Sequence, residues 1–292
     1  MGRGKAKSSL ALIEAARQVL QEIQPASVRA VCYRLFTMGL IENMSKAETN
    51  KVSTQLTWAR ENSIIPWEWI VDESRQGLVY GRTWDNPRAF LDEMRGTYRR
   101  DRWTMQPEWV EVWSEKATLN GTLAPVLFEY GVVFRVWHGF SSSTALHGVA
   151  TQSQNSRKTL TVLYCGDWDP SGMFMSEADI PARLREYGAG QVRLIRLALT
   201  KDDTKSGLPD FPAKETDTRF RWFVERYGRR AWELDALSPA ILRERLETAI
   251  LELLDLGAWH QADTAEAAEQ RSINEILSRW PGISGQAPKY DV

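Results

Sequence analysis

The stretch Val162–Gly172, VLYCGDWDPSG, places two carboxylates, Asp167 and Asp169, one residue apart at the end of an apolar run. Side chains alternate along extended backbone, so the two acids point the same way if the chain stays extended through Trp168. Like charges that close repel, and one pKa rises. A divalent cation removes that penalty. Carboxylate oxygens suit Mg2+ or Mn2+, and an octahedral ion that keeps water positions suits phosphate chemistry. Pro170 and Gly172 make the tight exit into a following helix. A third acid, Glu115 in WVEVWSEKATL, ends a second apolar run just before another helical stretch. An Asp-x-Asp pair is also a common helix cap, and a Glu-Lys pair is commoner still. The combination is more specific: an acid at one strand end, DxDPxG at another, and the Gly-rich turn HGFSSS between them.

Those acids need a scaffold. WVEVW, VVFRVW, TLTVLYC and QVRLIRLAL read as strands, alternating with the helical stretches ATLNGTLAPVLFEY, TALHGVATQ, SGMFMSEAD and PARLREYG. Such alternation implies βαβ units and a parallel sheet covered on both faces. In open parallel sheets functional groups collect at the carboxyl ends of the strands, where all three acids lie. Before this region, apolar residues at helical spacing over 9–23 predict a helix broken by Pro25. Ser27 caps a second helix, VRAVCYRLFTM, and Ser45 with Glu48 makes a capping box for a third. IIPWEWIVDESR reads as a strand. Helix, short helix, longer helix and strand is the order of a winged-helix module. Residues 83–105 read as a basic connector, and the chain from Trp222 onward as mostly helical.

The composition, 43% hydrophobic and 26% charged, is that of an ordinary globular protein. No apolar run reaches the length of a membrane span and the start resembles no signal peptide, so a cytoplasmic, nucleoid-associated protein without a membrane partner is expected. Cys32 and Cys165 read as buried thiols, and the three histidines show no zinc-ligand spacing. The net charge of −1 divides unevenly: residues 1–105 hold 16 Lys+Arg against 12 Asp+Glu. A basic first third suits a polyanion, and equally an ordinary solvated surface.

SEKATL followed by GDWDPSG resembles the Toprim domain, and the DPSG continuation looks closest to the A subunit of archaeal DNA topoisomerase VI and the related meiotic double-strand-break transesterases. The resemblance implies an α/β fold with a winged-helix domain over 1–105 and a Rossmann-like Toprim domain with a helical extension over 106–292. It implies that Glu115, Asp167 and Asp169 hold Mg2+ or Mn2+, and that double-stranded DNA is cleaved by transesterification, a tyrosine attacking a backbone phosphate to form a covalent phosphotyrosyl link. In that family a catalytic tyrosine follows an arginine by four residues, as Tyr33 follows Arg29 in SVRAVCYRLF. Residues i and i+4 share a helix face. A phenol of pKa near 10 is a poor nucleophile at neutral pH. Arginine would neutralise the attacked phosphate, and Glu115 would serve as general acid or base. Tyr33 equally fits core packing against Val28, Val31 and Leu35. The family usually has an aromatic where this chain has Cys32. The resemblance further implies a homodimer in which Tyr33 of one chain meets the metal site of the other, and an ATPase partner of B type, for whose docking the 32 residues before Tyr33 leave little chain. Two other functions remain open: a Toprim-type nuclease that hydrolyses DNA or RNA with Tyr33 structural, and a non-catalytic DNA-binding protein.

Overall fold

The structure, a computed structural model, describes residues 5–70, 83–137 and 143–279. The chain is mixed α/β and packs into two compact units, neither continuous in sequence. Met1–Gln76 with Glu108–Leu253 form one, and Gly77–Pro107 with Leu254–Val292 form the other.

The first unit begins with three helices, α1 (Lys7–Ile23), α2 (Val28–Thr37) and α3 (Lys46–Glu61). Their apolar stripes close on one core that includes Ile13, Leu20, Val31, Leu35, Val52 and Leu56. The Ser27 hydroxyl accepts the Ala30 N–H at 3.1 Å and caps α2, and Ser45 accepts from Glu48 N–H to cap α3. The strand expected over IIPWEWIVDESR differs: Pro66, with φ −58°, leads into a 3-10 turn at Trp67–Trp69. Among the described residues of the segment, Ile70 alone makes a bridge, to Ala26. The remainder of that segment, and most of the HGFSSS turn, lie outside the described residues.

The sheet holds β1 (Glu108–Ser114), β2 (Val133–Val136), β3 (Thr159–Cys165) and β4 (Val192–Ala198), all parallel, in the order β2-β1-β3-β4. The two central strands are almost wholly buried, as expected of a parallel sheet covered on both faces. Helices α5 (Leu119–Tyr130) and α6 (Ser143–Asn155) connect the strands, and Gly131 ends α5 in the left-handed conformation, φ 64°. After β3 the chain runs through α7 (Pro170–Phe174), a π turn at Met175–Asp179 and α8 (Ile180–Glu186). Beyond β4 come the short antiparallel pair β5 (Phe211–Pro212) and β6 (Arg230–Ala231), with α9 (Phe220–Tyr227) between them, and then α10 (Pro239–Leu253).

The second unit pairs α4 (Pro87–Thr97) and a 3-10 turn at Arg102–Met105 with α11 (Leu256–Ser278). Its internal ties are polar: Arg102 Nε donates to the buried Glu266 at 3.0 Å, and the Gln106 amide bonds the Asp255 backbone at both its carbonyl and its N–H. Among the described residues no helix is long and apolar enough to cross a membrane.

Candidate functional site

Parallel register brings the three acids together. Ser114, the last residue of β1, pairs with Cys165, the last of β3, so Glu115 and the Gly166–Asp167 turn leave the sheet side by side. The Asp167 N–H points to Glu115 Oε1 at 3.4 Å. Asp169 caps α7, its Oδ1 accepting the Gly172 N–H at 2.7 Å. Gly172 lies where the acids meet. A Cβ there would stand 2.6 Å from the Asp167 carbonyl oxygen, 3.2 Å from Glu115 Oε1 and 3.3 Å from Asp169 Oδ1. Gly172→Ala is therefore expected to destabilise the fold by about 2 kcal/mol, because a backbone oxygen must give way. Urea unfolding measures this, and an unchanged midpoint would mean the loop yields without cost.

Asp167 turns to a different set of partners. Its Oδ1 accepts the Leu234 N–H at 2.6 Å and lies 2.7 Å from Lys116 Nζ. The same ammonium is 2.5 Å from Asp235 Oδ2. Burial works against the charge of Lys116, but Asp167 and Asp235 more than offset it and its pKa is raised. Burial, followed by repulsion from Asp167 and Asp169, pushes the Glu115 carboxyl up to about 7. Burial also raises Asp167 and Asp169, against the pull of Lys116 on the first and of the Gly172 N–H on the second.

Among the described residues, no three Asp, Glu, His or Cys side chains close on one point in their present rotamers. The reason is visible: Asp169 is held by its cap and Asp167 by Lys116. The donor set nevertheless fits a hard divalent cation. The side-chain donors are carboxylate oxygens, two of them, Glu115 Oε1 and Asp169 Oδ1, come close to the same face of Gly172, and an ammonium already balances charge at Asp167.

Arg29 and Tyr33 share α2 as their spacing requires, with the Arg29 guanidinium 5.7 Å from the centre of the Tyr33 ring. Arg29 is ion-paired to Glu233 and lies 3.7 Å from Asp235. Asp235 also accepts from Ser27 Oγ at 3.3 Å. The turn Glu233–Asp235 thus joins α2 to the acids through Lys116. Tyr33 is only 1% exposed, and its hydroxyl finds no hydrogen-bond partner of acceptable geometry. Burial, then the nearby Glu233 carboxylate, raises its pKa, so the phenol is protonated at neutral pH and shielded from solvent.

Four residues of this neighbourhood were not singled out by sequence reasoning: Lys116, Glu233, Asp235 and Arg196. Lys116 stands inside the SEKATL motif, so a search for charge next to Glu115 would have found it. Asp235 follows Asp167 by 68 positions, in a stretch with no motif, and only folding shows its place. Arg196 sits within β4 and bonds the carbonyl oxygens of Gly166 and Asp167. No protein-family model matches this chain, and no curated protein matches it significantly.

Proposed function

We propose that the chain is a divalent-metal-dependent enzyme of Toprim type that cleaves nucleic-acid phosphodiesters, with double-stranded DNA as substrate and water as the nucleophile. The observation that carries this reading is the approach of Glu115 Oε1 and Asp169 Oδ1 to the same face of Gly172, next to Asp167 at the carboxyl end of a parallel sheet. Glu115, Asp167 and Asp169 would hold Mg2+ or Mn2+, and the ion, when bound, supplies positive charge that polarises the phosphodiester. Glu115, a carboxylate beside the ion, is suited to take a proton from the attacking water as the new P–O bond forms and the bond to the departing sugar oxygen breaks. That oxygen leaves with a proton from solvent. The excess of Lys and Arg over residues 1–105 supports a polyanionic substrate. A homodimer, a winged-helix role for α1–α3 and an ATPase partner belong to the same reading through the resemblance of SEKATL and GDWDPSG to the topoisomerase VI A family.

The second reading makes Tyr33 the nucleophile, forming a phosphotyrosyl link to DNA. The Arg29–Tyr33 pairing on one helix favours it, and the sealed, protonated phenol favours water. Tyr33→Phe separates them. The hydroxyl is buried and meets no partner of good geometry among the described residues, yet Glu233 and Arg29 lie close enough to act on it, so its removal is expected to change stability by no more than about 1 kcal/mol. Cleavage of labelled duplex DNA with Mg2+ should stay within about twofold of wild type, a barrier change under about 0.5 kcal/mol, with no DNA carried on the denatured protein. Loss of cleavage in Tyr33→Phe, together with a wild-type adduct placed on residue 33 by mass spectrometry, would establish transesterification instead.

A further inference from the structure

Arg196 is a buried cation next to a loop of acids, with no carboxylate in salt-bridge contact among the described residues. Its five N–H groups all end on neutral acceptors. Nε donates to the Leu199 carbonyl at 2.6 Å, and Nη1 to Ser176 Oγ at 2.5 Å and the Gly172 carbonyl at 3.4 Å. Nη2 donates to the Gly166 carbonyl at 2.9 Å and the Asp167 carbonyl at 2.5 Å. The guanidinium lies 5.5 Å from the centre of the Tyr164 ring and 5.9 Å from that of Trp168. A planar fork with five fixed donors is the side chain able to gather carbonyls from both ends of one turn. Three of those carbonyls, from Gly166, Asp167 and Gly172, bracket the segment that carries Asp167 and Asp169. Unpaired, they would repel one another.

We propose that Arg196 is the positioning residue of the metal-binding loop: it clamps the backbone of the Gly166–Gly172 turn, so that rotamer changes alone bring the Asp167 and Asp169 carboxylates to one small octahedral ion. This rests on the metal-dependent reading above. Mg2+ requires near-ideal octahedral geometry, whereas Ca2+ tolerates flexible coordination. A clamp that sets geometry therefore matters more for Mg2+ than for Ca2+, while a residue that only helps the chain fold affects both ions alike.

The test is calorimetric titration of the full chain with Mg2+ and with Ca2+. Arg196→Lys keeps the charge and loses the fork. Mg2+ affinity should fall at least about tenfold and Ca2+ affinity less than about threefold, so that the Mg2+:Ca2+ preference drops. Ser176→Ala removes one acceptor and leaves the arginine in place, and it should shift the same ratio by about threefold. If Arg196→Lys does not fold, the Ser176→Ala ratio decides alone. A ratio equal to wild type in whichever variants fold overturns the positioning role while leaving the metal site intact. A wild-type chain that binds neither ion overturns the metal-dependent reading and this inference with it.

Discussion

Replacing Asp167 and Asp169 together by alanine is expected to abolish Mg2+ binding and to reduce DNA cleavage by roughly 1,000-fold, about 4 kcal/mol of transition-state stabilisation. The two carboxylates supply most of the charge that attracts an ion, and Glu115 alone cannot hold one against water. The fold should survive. Losing the Asp169 cap of α7 costs about 1 kcal/mol, and Lys116 keeps Asp235 as a partner when Asp167 is gone. Burial already penalises both acids, so their removal also relieves strain. Calorimetry with Mg2+ and circular dichroism on the same sample check both halves. A folded double variant that binds Mg2+ as wild type does would eliminate the proposed site.

Glu115→Gln has the second largest expected effect, and it is visible without substrate. The Glu115 carboxyl ionises near 4.5 in the unfolded chain and at about 7 in the folded one. A carboxyl that is harder to ionise in the fold stabilises it relative to the charged state while both forms keep their protons. That contribution is lost as pH rises from 4.5 to 7. Above pH 7 the ionised, metal-free wild type bears a cost of up to about 3 kcal/mol, less for the part of the side chain that solvent screens. Glutamine has no charge to bury. The variant should therefore match wild type at pH 4 and be about 2 to 3 kcal/mol more stable at pH 8 in the presence of a chelator. Cleavage should fall at least about 100-fold, since the proton acceptor is gone. Urea unfolding at the two pH values measures the first part. An equal stability difference at pH 4 and pH 8 would show that Glu115 is not the group with the raised pKa.

Both predictions come from one cluster, and its parts were unequally legible in the sequence. The two central strands of the sheet were readable because buried parallel strands are nearly continuous apolar runs: TLTVLYC became β3 and WVEVW the heart of β1. The helices were readable through spacing and caps, with Ser27 and Ser45 capping α2 and α3. Within IIPWEWIVDESR the described part Trp67–Trp69 departs from the expected strand, because its aromatic content suits a strand whereas the geometry after Pro66 favours a 3-10 turn; Ile70 is extended. The start of α11 was also missed. It begins at Leu256 under an Asp255 cap, ahead of the periodic stretch TAEAAEQRSINEILSRW.

What the sequence determined by itself is local: the elements, the two acids of GDWDPSG at the end of one strand, and Glu115 at the end of another. Which strands are neighbours is a tertiary matter. Register alone set Ser114 beside Cys165 and so brought Glu115 to Asp167. The partners of the acids are equally tertiary. Lys116 is shared by Asp167 and Asp235, and Arg196 reaches from β4 into the loop after β3. The physical reason is that charges taken out of water must find compensation wherever the fold supplies it. Coulomb attraction and hydrogen bonding act through space, whereas periodicity and capping act along the chain. The same reason explains Tyr33. Its position on an amphipathic helix was legible, but whether that face meets solvent or protein depended on the Glu233–Asp235 turn, two hundred residues away.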